Sequence, residues 1–513
     1  MMDRRPKVKL IFPCMFEPNE ACFHPIAVHL PYGMGVLTSY LKSQDIYVEQ
    51  DDLSVRFNHE STLFDLVRHS ELSIKKFQND LMIFFKTNKV SLRLERLLCR
   101  IIDSTSIEKF DIIGFSIFSY RYFLFALLLS RTIKKSPNTL IVFGGPFITL
   151  YGQLYPGAFK FIDFMIRGDG GMPLSQLAHC LIQKISPEQI PGLIYKHDGT
   201  LTVIPVKECP IEEMPMPDFE GLPLDLYRTK NFHKNLYIPY QISRGCNGAC
   251  KFCCIKNIDP FLEYKSYHKV ITELQQLKEK YGTNFFYFCD SGAINTSNEY
   301  LEGLCDALID NKINICWGAY ARIEHLDRVI LGKMKLAGCW KLHLGVESGS
   351  NRMLGIMNKG LTTEQIQGVL RDAAGLGIRN FIYFISGYPN ERREDIVMSA
   401  DFIRRNRKYI WFAEVFILKV SYGSELWKRP ERYGITNLVP FKRFPQVYKF
   451  DEVEGFRWQE KCIQQKRSEQ QIRRAILRYL VFGLIKEVLF QTINIFYKTY
   501  LCQSGAKKRK EVK

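Results

Sequence analysis

The sequence predicts an α/β protein with two successive α/β domains and a helical C-terminal region. Short apolar runs alternate with helical patterns from about residue 8 to 430, and clusters of glycine and polar residues follow many of these runs. This alternation is typical of parallel sheets, whose ligands bind where the strands end. We expect a Rossmann-like domain over residues 8–190, a hairpin and linker over 191–235, a partial (β/α)6 barrel over 236–430 and a basic helical region over 431–513.

Composition excludes several classes of protein. The chain has 513 residues, which is too long for one hydrophobic core. With 46% hydrophobic and 24% charged residues, its composition is typical of globular domains. Its 15 cysteines are too sparse for a disulfide scaffold, and we see no signal peptide, so we expect a reducing cytoplasm. The net charge of +18 indicates either an anionic partner or a solvated basic surface.

The first domain is predicted from apolar runs that end in glycines. A helical insertion is expected over about residues 56–108. Strand ends are expected at Ser116-Ile117-Phe118, at Gly144-Gly145-Pro146 and just before Gly168-Asp169-Gly170. Missing side chains at such ends let a large flat ligand approach the backbone. Alternatively, these glycines serve only tight turns. The predicted strands cover residues 8–14, 47–53, 111–119, 139–143 and 161–166.

The barrel is predicted from a second series of apolar runs. Functional groups of such barrels lie at the strand C-termini. Here those positions hold Asp290, Arg322, Glu347-Ser348 and Gly387-Tyr388-Pro389. The predicted strands cover residues 236–242, 284–289, 313–318, 340–346, 379–385 and 413–420.

Three cysteines follow the first barrel strand in a loop rich in glycine and asparagine. Cys246, Cys250 and Cys253 have C-x3-C-x2-C spacing. Three thiolates are too few for a closed tetrahedral zinc site, but they suit a 4Fe-4S cluster in which one iron stays open to a small molecule. The alternative is a structural zinc loop or unrelated thiols. We do not expect the adjacent Cys254 to be a ligand, because neighbouring side chains point in different directions.

The cysteine spacing, with Phe252 directly before Cys253, resembles the signature of the radical SAM superfamily. The preceding glycine pattern resembles the cobalamin-binding domain found before many radical SAM cores. The resemblance implies a 4Fe-4S cluster on the three cysteines. It implies S-adenosylmethionine contacts from Phe252, Asp290, Arg322, Glu347, Ser348, Gly387, Tyr388 and Pro389. It implies cobalamin contacts from Gly33, Ser116, Phe118, Gly144, Gly145, Pro146, Gly168 and Asp169.

The chain departs from the family pattern at several positions. Ser54 stands where the usual D-x-H-x-x-G motif has its cobalt-ligating histidine, and Phe57 stands where it has glycine. The resemblance therefore implies cobalamin held without that ligand. In the barrel, the second acid that often follows Asp290 is absent, and Tyr422 replaces a proline.

The resemblance implies an enzyme that cleaves S-adenosylmethionine to a 5′-deoxyadenosyl radical. Its reaction would be cobalamin-dependent methylation of an unactivated carbon. Three alternatives stay open: a radical SAM cyclase or rearrangement enzyme, a tRNA methylthiotransferase-like enzyme, and a cobalamin-binding sensor that uses no S-adenosylmethionine. A methylthiotransferase needs three further cysteines in its first domain, for which Cys14, Cys22 and Cys99 are available.

The resemblance also implies an electron donor of the flavodoxin or ferredoxin type. Relatives act on small molecules, lipids and peptides, and we do not expect nucleic acid as a partner. The apolar helical pattern at residues 475–501, followed by Lys507-Lys508-Arg509-Lys510, predicts a helix that covers the barrel or lies on a membrane surface.

Overall fold

A computed structural model describes residues 5–13, 30–59, 83–84, 87, 89–134, 139–230, 235–442 and 444–476. By its internal contacts the chain divides into two compact units. The first comprises Met1–Asn247, Cys254–Ile294 and Asp306–Trp317, and the second comprises Gly248–Cys253, Asn295–Cys305 and Gly318–Lys513. The domain limits expected from the sequence stay a prediction.

The first unit contains a seven-stranded sheet in the order β2-β1-β3-β4-β5-β6-β7. The strands β1 to β5 pair in parallel, as the alternating pattern predicts. The strands β1, β3 and β4 have consecutive buried residues that are mostly apolar, which is typical of a parallel sheet covered by helices. The strands are β1 (Lys7–Phe12), β2 (Tyr47–Asp52), β3 (Ile112–Ser116), β4 (Leu140–Gly144), β5 (Phe164–Ile166), β6 (Leu193–His197) and β7 (Thr200–Val203). The helices are Tyr32–Ser43, Leu53–His59, Leu92–Asp103, Tyr120–Ile133, Pro146–Tyr151 and Gly171–Gln183.

The predicted hairpin extends this sheet. Strands β6 and β7 pair antiparallel around Asp198 and Gly199, whose φ angles are 46° and 82°. An Asp-Gly pair favours this turn because both central residues need positive φ. Only part of the predicted helical insertion can be compared, since residues 60–82 lie outside the described residues.

The proline-rich linker is held against the first domain. Asp218 accepts ion pairs from Lys42 at 2.7 Å and Lys280 at 3.1 Å. The next residue, Phe219, is fully buried, and its ring occupies the space that a Cβ at Gly35 would need, 2.5 Å from that position. Gly35 is thus explained by packing. A short helix follows at Leu224–Lys230.

The barrel strands form a six-stranded sheet in the order β15-β14-β13-β12-β11-β8. Chain order and sheet order agree, which confirms the predicted partial barrel. The strands are β8 (Tyr237–Tyr240), β11 (Phe285–Phe288), β12 (Cys316–Ala321), β13 (Cys339–Glu347), β14 (Arg379–Ser386) and β15 (Ile410–Ile417), with a short pair β9 (Ser243–Arg244) and β10 (Glu263–Tyr264). The helices are Tyr267–Tyr281, Asn298–Asp310, Arg328–Leu336, Asn351–Ile356, Thr363–Gly375, Arg393–Asn406 and Glu425–Lys428.

The region over 431–513, which we expect to be helical and basic, begins with strands. The strands β16 (Val420–Ser421), β17 (Ile435–Phe441) and β18 (Phe444–Glu452) form an antiparallel sheet, and helix follows only over residues 458–476. Pro440 and Pro445 disfavour a helix interior, and aromatic and β-branched residues between them and after them favour strands.

Residues 477–513 lie outside the described residues, and with them nearly all of the segment expected to cover the barrel or contact a membrane. Among the helices that the structure describes, none is long and apolar enough to cross a bilayer.

Candidate functional site

The entry into the cysteine loop depends on glycine. Gly245 has φ +85°, and a Cβ there would lie 2.1 Å from the carbonyl oxygen of Phe261. A Cβ at Gly292 would lie 2.3 Å from the carbonyl oxygen of Gly245 and 3.1 Å from the Cβ of Cys246. Close backbone approach of this kind admits only glycine. These contacts set the direction in which the chain reaches Cys246.

Asp290 anchors the same entry from the end of the next strand. Its Oδ1 accepts the backbone N–H of Ile242 at 2.9 Å, the backbone N–H of Ser243, and the Ser243 hydroxyl at 3.1 Å. Ser291 accepts the N–H of Gly245 at 3.0 Å. Burial raises the pKa of Asp290 to about 6, although these hydrogen bonds oppose the shift. One carboxylate oxygen, Oδ1, therefore fixes the backbone at Ile242 and Ser243 through hydrogen bonds. The other, Oδ2, has no hydrogen-bond partner within the described residues.

Arg244, which the sequence analysis missed, clamps the loop base. Its guanidinium binds Asp169 in bidentate fashion, with nitrogen–oxygen distances of 2.8 and 3.2 Å. It also donates to the carbonyl of Cys209 at 3.1 Å and lies 3.7 Å from Asp259. Arg244 is only 5% exposed. We expected Asp169 at a cobalamin, but in this structure its carboxylate holds the residue that precedes the cysteine motif.

Charged side chains surround Cys250 in the second unit. Arg322 Nη1 donates to the Cys250 Sγ at 3.9 Å, and the same guanidinium pairs with Glu324. Glu347, at the end of β13, pairs with Lys359 at 3.4 Å. Burial raises the pKa of Glu347, an effect that Lys359 opposes. Of the predicted residues, Arg322 donates to this thiol directly, and Glu347 pairs with Lys359, whose charge interacts with the thiol. Sequence reasoning missed Glu324 and Lys359.

The end of β13 has an unusual backbone. Glu347 has φ +64°, a conformation that costs a non-glycine residue about 1–3 kcal/mol and is concentrated at functional sites. A Cβ at Gly345 would lie 2.3 Å from Glu347 Oε1, so Gly345 leaves room for that carboxylate. The predicted Ser348 accepts the N–H of Ser350 at 3.1 Å, which is a local turn contact.

The aromatic residue of the motif packs on the predicted Gly-Tyr-Pro turn. The rings of Phe252 and Tyr388 meet edge to face, with centroids 6.5 Å apart. The Gly387 N–H donates to Glu391 at 2.7 Å, and Gln465 and Lys461 donate to the Gly387 and Tyr388 carbonyls at 3.3 and 2.9 Å. Helix 458–476 thus occupies backbone groups of the turn that we expect to contact S-adenosylmethionine. The role of Pro389, like that of its neighbours, stays a prediction.

Several of the positions expected to contact cobalamin lie at the carboxyl ends of strands in the first sheet. Ser116 pairs with Gly144 at the ends of β3 and β4, and Gly168 follows the parallel strand β5. Phe118 is 66% exposed, and Pro146 begins a helix. A Cβ at Gly33 would meet no atom within 4 Å. Ser116, Gly144 and Gly168 thus lie at the strand ends where such sheets bind ligands, and the cobalamin contacts stay a prediction.

Two of these glycines also have a packing reason. Gly145 has φ +95°, and a Cβ there would lie 2.8 Å from the carbonyl oxygen of Ile117. A Cβ at Gly168 would lie 2.5 Å from Val206.

At the position of the missing histidine, Ser54 donates to Asp52 at 2.6 Å, and Tyr227 also donates to Asp52. This carboxylate caps the helix Leu53–His59.

The donor chemistry of the loop fits an iron–sulfur cluster. None of Cys246, Cys250 and Cys253 forms a disulfide; the first two are half-buried and the third is exposed. Within the described ranges, no three or more histidine, cysteine, aspartate or glutamate side chains are arranged to hold a metal ion. The cluster assignment therefore rests on donor type and spacing, and it stays a prediction.

Comparison with known proteins supports the family resemblance. Residues 240–403 match the model of the radical SAM superfamily. An uncharacterised methyltransferase of Pyrococcus horikoshii is 27% identical over 306 residues, 58% of this chain and 64% of the relative. An anaerobic magnesium-protoporphyrin IX monomethyl ester cyclase of Rubrivivax gelatinosus is 26% identical over 298 residues, 56% and 52% of the two chains. The matches thus span less than two thirds of either relative.

Solved structures share the fold. The cobalamin-dependent S-adenosylmethionine radical enzyme OxsB, with aqua-cobalamin and S-adenosylmethionine bound, matches with a TM-score of 0.61 at 18% identity, covering 86% of this chain and 64% of OxsB. The radical S-adenosylmethionine methyltransferase TsrM from Kitasatospora setae, with cobalamin and a 4Fe-4S cluster bound, matches with a TM-score of 0.60 at 16% identity, covering 84% and 77%. At these identities the likeness shows the fold.

Proposed function

We propose that this protein is a cobalamin-dependent radical SAM methyltransferase that acts on an unactivated carbon of its substrate. The observation that carries the proposal is the C-x3-C-x2-C loop inside a radical SAM domain, with Arg322, Glu347 and Lys359 collected near Cys250. One relative named as a methyltransferase and structural neighbours solved with cobalamin support methyl transfer as the reaction.

The residues of this chain have separable tasks in that reaction. Cys246, Cys250 and Cys253 would hold a 4Fe-4S cluster, which when bound supplies the electron that cleaves S-adenosylmethionine. Arg322 donates to the Cys250 sulfur, and hydrogen bonds to cluster sulfurs raise the reduction potential. Arg244, Asp290 and Ser291 hold the loop base. The protein's contribution is to bind, orient and exclude water.

Cobalamin would lie at the edge formed by Gly33, Ser116, Gly144 and Gly168. The open space at Gly33 fits a ligand approaching the backbone. Ser54 is engaged by Asp52, so we propose that cobalamin takes no ligand from this position. The reaction also needs an electron donor, for which we propose a flavodoxin or ferredoxin.

A radical SAM cyclase is the second candidate, because a relative of similar identity is named as a cyclase. The two reactions differ in their products. Methylation that regenerates its methyl donor from a second S-adenosylmethionine gives S-adenosylhomocysteine and 5′-deoxyadenosine in near-equal amounts. Cyclisation gives no S-adenosylhomocysteine and no added methyl mass.

The test is anaerobic purification and reconstitution with iron, sulfide and cobalamin, followed by mass spectrometry of cofactors and products. Incubation with dithionite and S-adenosylmethionine should release 5′-deoxyadenosine from the wild type and from Cys254→Ala, but not from Cys250→Ala. Protein that takes up iron but no cobalamin contradicts the methyltransferase proposal. Absence of 5′-deoxyadenosine from an iron-loaded wild type contradicts the radical mechanism itself.

A further inference from the structure

Four aromatic rings stand side by side on the strands at one end of the barrel sheet. They belong to Tyr320 on β12, His343 on β13, Tyr383 on β14 and Phe416 on β15, and we name them the ring wall. The ring centroids of His343 and Tyr383 are 5.9 Å apart with planes at 9°, and those of Tyr383 and Phe416 are 5.9 Å apart at 29°. Tyr320 lies 4.9 Å from His343. The wall therefore crosses four neighbouring strands without interruption.

The ring wall shares a face of the sheet with the charged groups near Cys250. Side chains at alternate strand positions point to one face, so position 345 points as His343 does. A Cβ at Gly345 would meet the Glu347 carboxylate at 2.3 Å, which places that carboxylate over the same face. The other face is apolar and fully buried at Leu342, Leu344 and Ile382.

The two ends of the wall are accessible, and its middle is not. Tyr320 is 43% exposed and Phe416 is 49% exposed, whereas His343 and Tyr383 are 1% and 9% exposed. His343 Nδ1 and the Tyr383 hydroxyl lie 2.7 Å apart and bond to each other. Burial lowers the pKa of His343 to about 3, and the charge of Lys341 adds to this shift, so the imidazole is neutral. The wall offers uncharged aromatic surface.

This surface selects among substrate chemistries. Aromatic rings attract other flat π-systems through stacked and edge-to-face contacts. An acyl chain would be matched by aliphatic lining, which the wall lacks. A charged peptide would need charges that are not already engaged. Glu347 is paired with Lys359 and Arg322 with Glu324, and Lys341, on the same face as His343, lies over the Phe381 ring at 5.7 Å.

We infer that the substrate presents a flat, uncharged, conjugated ring system to Tyr320 and Phe416. The inference rests on the proposed function, because it assumes that substrate approaches the face that carries Glu347. It names the substrate class for that site, and the substrate ring would contact the exposed rings at the ends of the wall, Tyr320 and Phe416, with its reacting carbon toward the strand C-termini.

The test is calorimetric titration of the reconstituted full chain, without reductant, with three probes: indole, protoporphyrin IX and palmitate. At least one ring probe should bind, and palmitate should not. Phe416→Ala should weaken ring binding about ten-fold or more, because a buried edge or face contact is lost. Tyr320→Phe keeps the ring and should retain the affinity within about two-fold.

Trp411→Ala is the matched control. Trp411 lies near the start of β15, is 39% exposed and is covered by the Arg379 guanidinium at 3.8 Å. The Trp411→Ala variant should leave binding of the ring probes unchanged. The inference is overturned if neither ring probe binds, if palmitate binds in their place, or if Trp411→Ala weakens binding as much as Phe416→Ala. If the protein binds a ring probe but forms no 5′-deoxyadenosine, the result would support the inferred substrate class and contradict only the proposed function.

Discussion

Replacing Arg244 with methionine should loosen the base of the cysteine loop. The change removes a 5% exposed guanidinium from between Asp169 and Asp259, whose side chains are 26% and 13% exposed. Removing one partner of a buried ion pair costs about 3–5 kcal/mol, because the remaining charge is left uncompensated. Asp169 keeps some contact with water, so we expect about 3 kcal/mol, the lower end of that range.

Hydrogen exchange read by mass spectrometry measures this loss locally. A peptide covering residues 242–265 includes the antiparallel contact of Arg244 with Glu263 and of Ser243 with Tyr264. A loss of about 3 kcal/mol speeds exchange through local opening about a hundred-fold. Burial already raises the pKa of Asp259, and Arg244 opposes that shift. The Arg244→Met variant should therefore lose less local stability at pH 5 than at pH 8, because at pH 8 the carboxylates left without Arg244 must ionise.

Arg429→Met is the control, because its ion pair with Glu425 spans one helical turn at 3.3 Å and Arg429 is 54% exposed. Such a surface pair contributes about 0.3–0.5 kcal/mol. Exchange of the 242–265 peptide in Arg244→Met within about three-fold of the wild type would refute the clamp. Equal acceleration in both variants would refute it as well.

Four further predictions concern the cofactors and the residues that anchor their sites. Alanine at Cys246, Cys250 or Cys253 should remove the cluster's iron and visible absorption, whereas Cys254→Ala should retain about four irons per chain; retention in all four variants would show the ligand set to be wrong. The folded pKa of Asp290, about 6, lies above the ordinary 3.8, so this carboxyl's contribution to stability falls as pH rises between those values. The free energy of unfolding of Asp290→Asn, measured by denaturant titration, should therefore rise by about 2 kcal/mol relative to that of the wild type between pH 4 and pH 8. A difference between the two proteins that does not depend on pH would contradict this. Gly145→Leu should destabilise the first domain by about 2 kcal/mol or more because of its positive φ and the Ile117 contact. Gly33→Ala should leave thermal unfolding unchanged and lower cobalamin uptake, and unchanged uptake would remove Gly33 from the proposed site.

Local patterns predicted most of the fold. Each barrel strand lies within about three residues of its predicted position, because a buried parallel strand is a continuous apolar run bounded by turn residues. The Asp-Gly hairpin also followed from its sequence, since few other residue pairs adopt two positive φ angles. The strands β17 and β18 were missed because their pairing is with each other and with β16, and edge pairing of this kind leaves a weak periodic signal.

The sequence by itself predicted the cysteine loop and its resemblance to radical SAM enzymes, because three cysteines within one loop need no distant residue to be recognised. Only the tertiary structure decided which charges serve that loop. Arg244 pairs with Asp169, which lies 75 positions away in the sequence. Lys359 pairs with Glu347, whose backbone has a positive φ. Ion pairs between distant segments have no local signature, because any charged residue on any element can supply the partner. The same holds for the ring wall: each strand contributes one ring, and only the register of the sheet sets the four rings side by side.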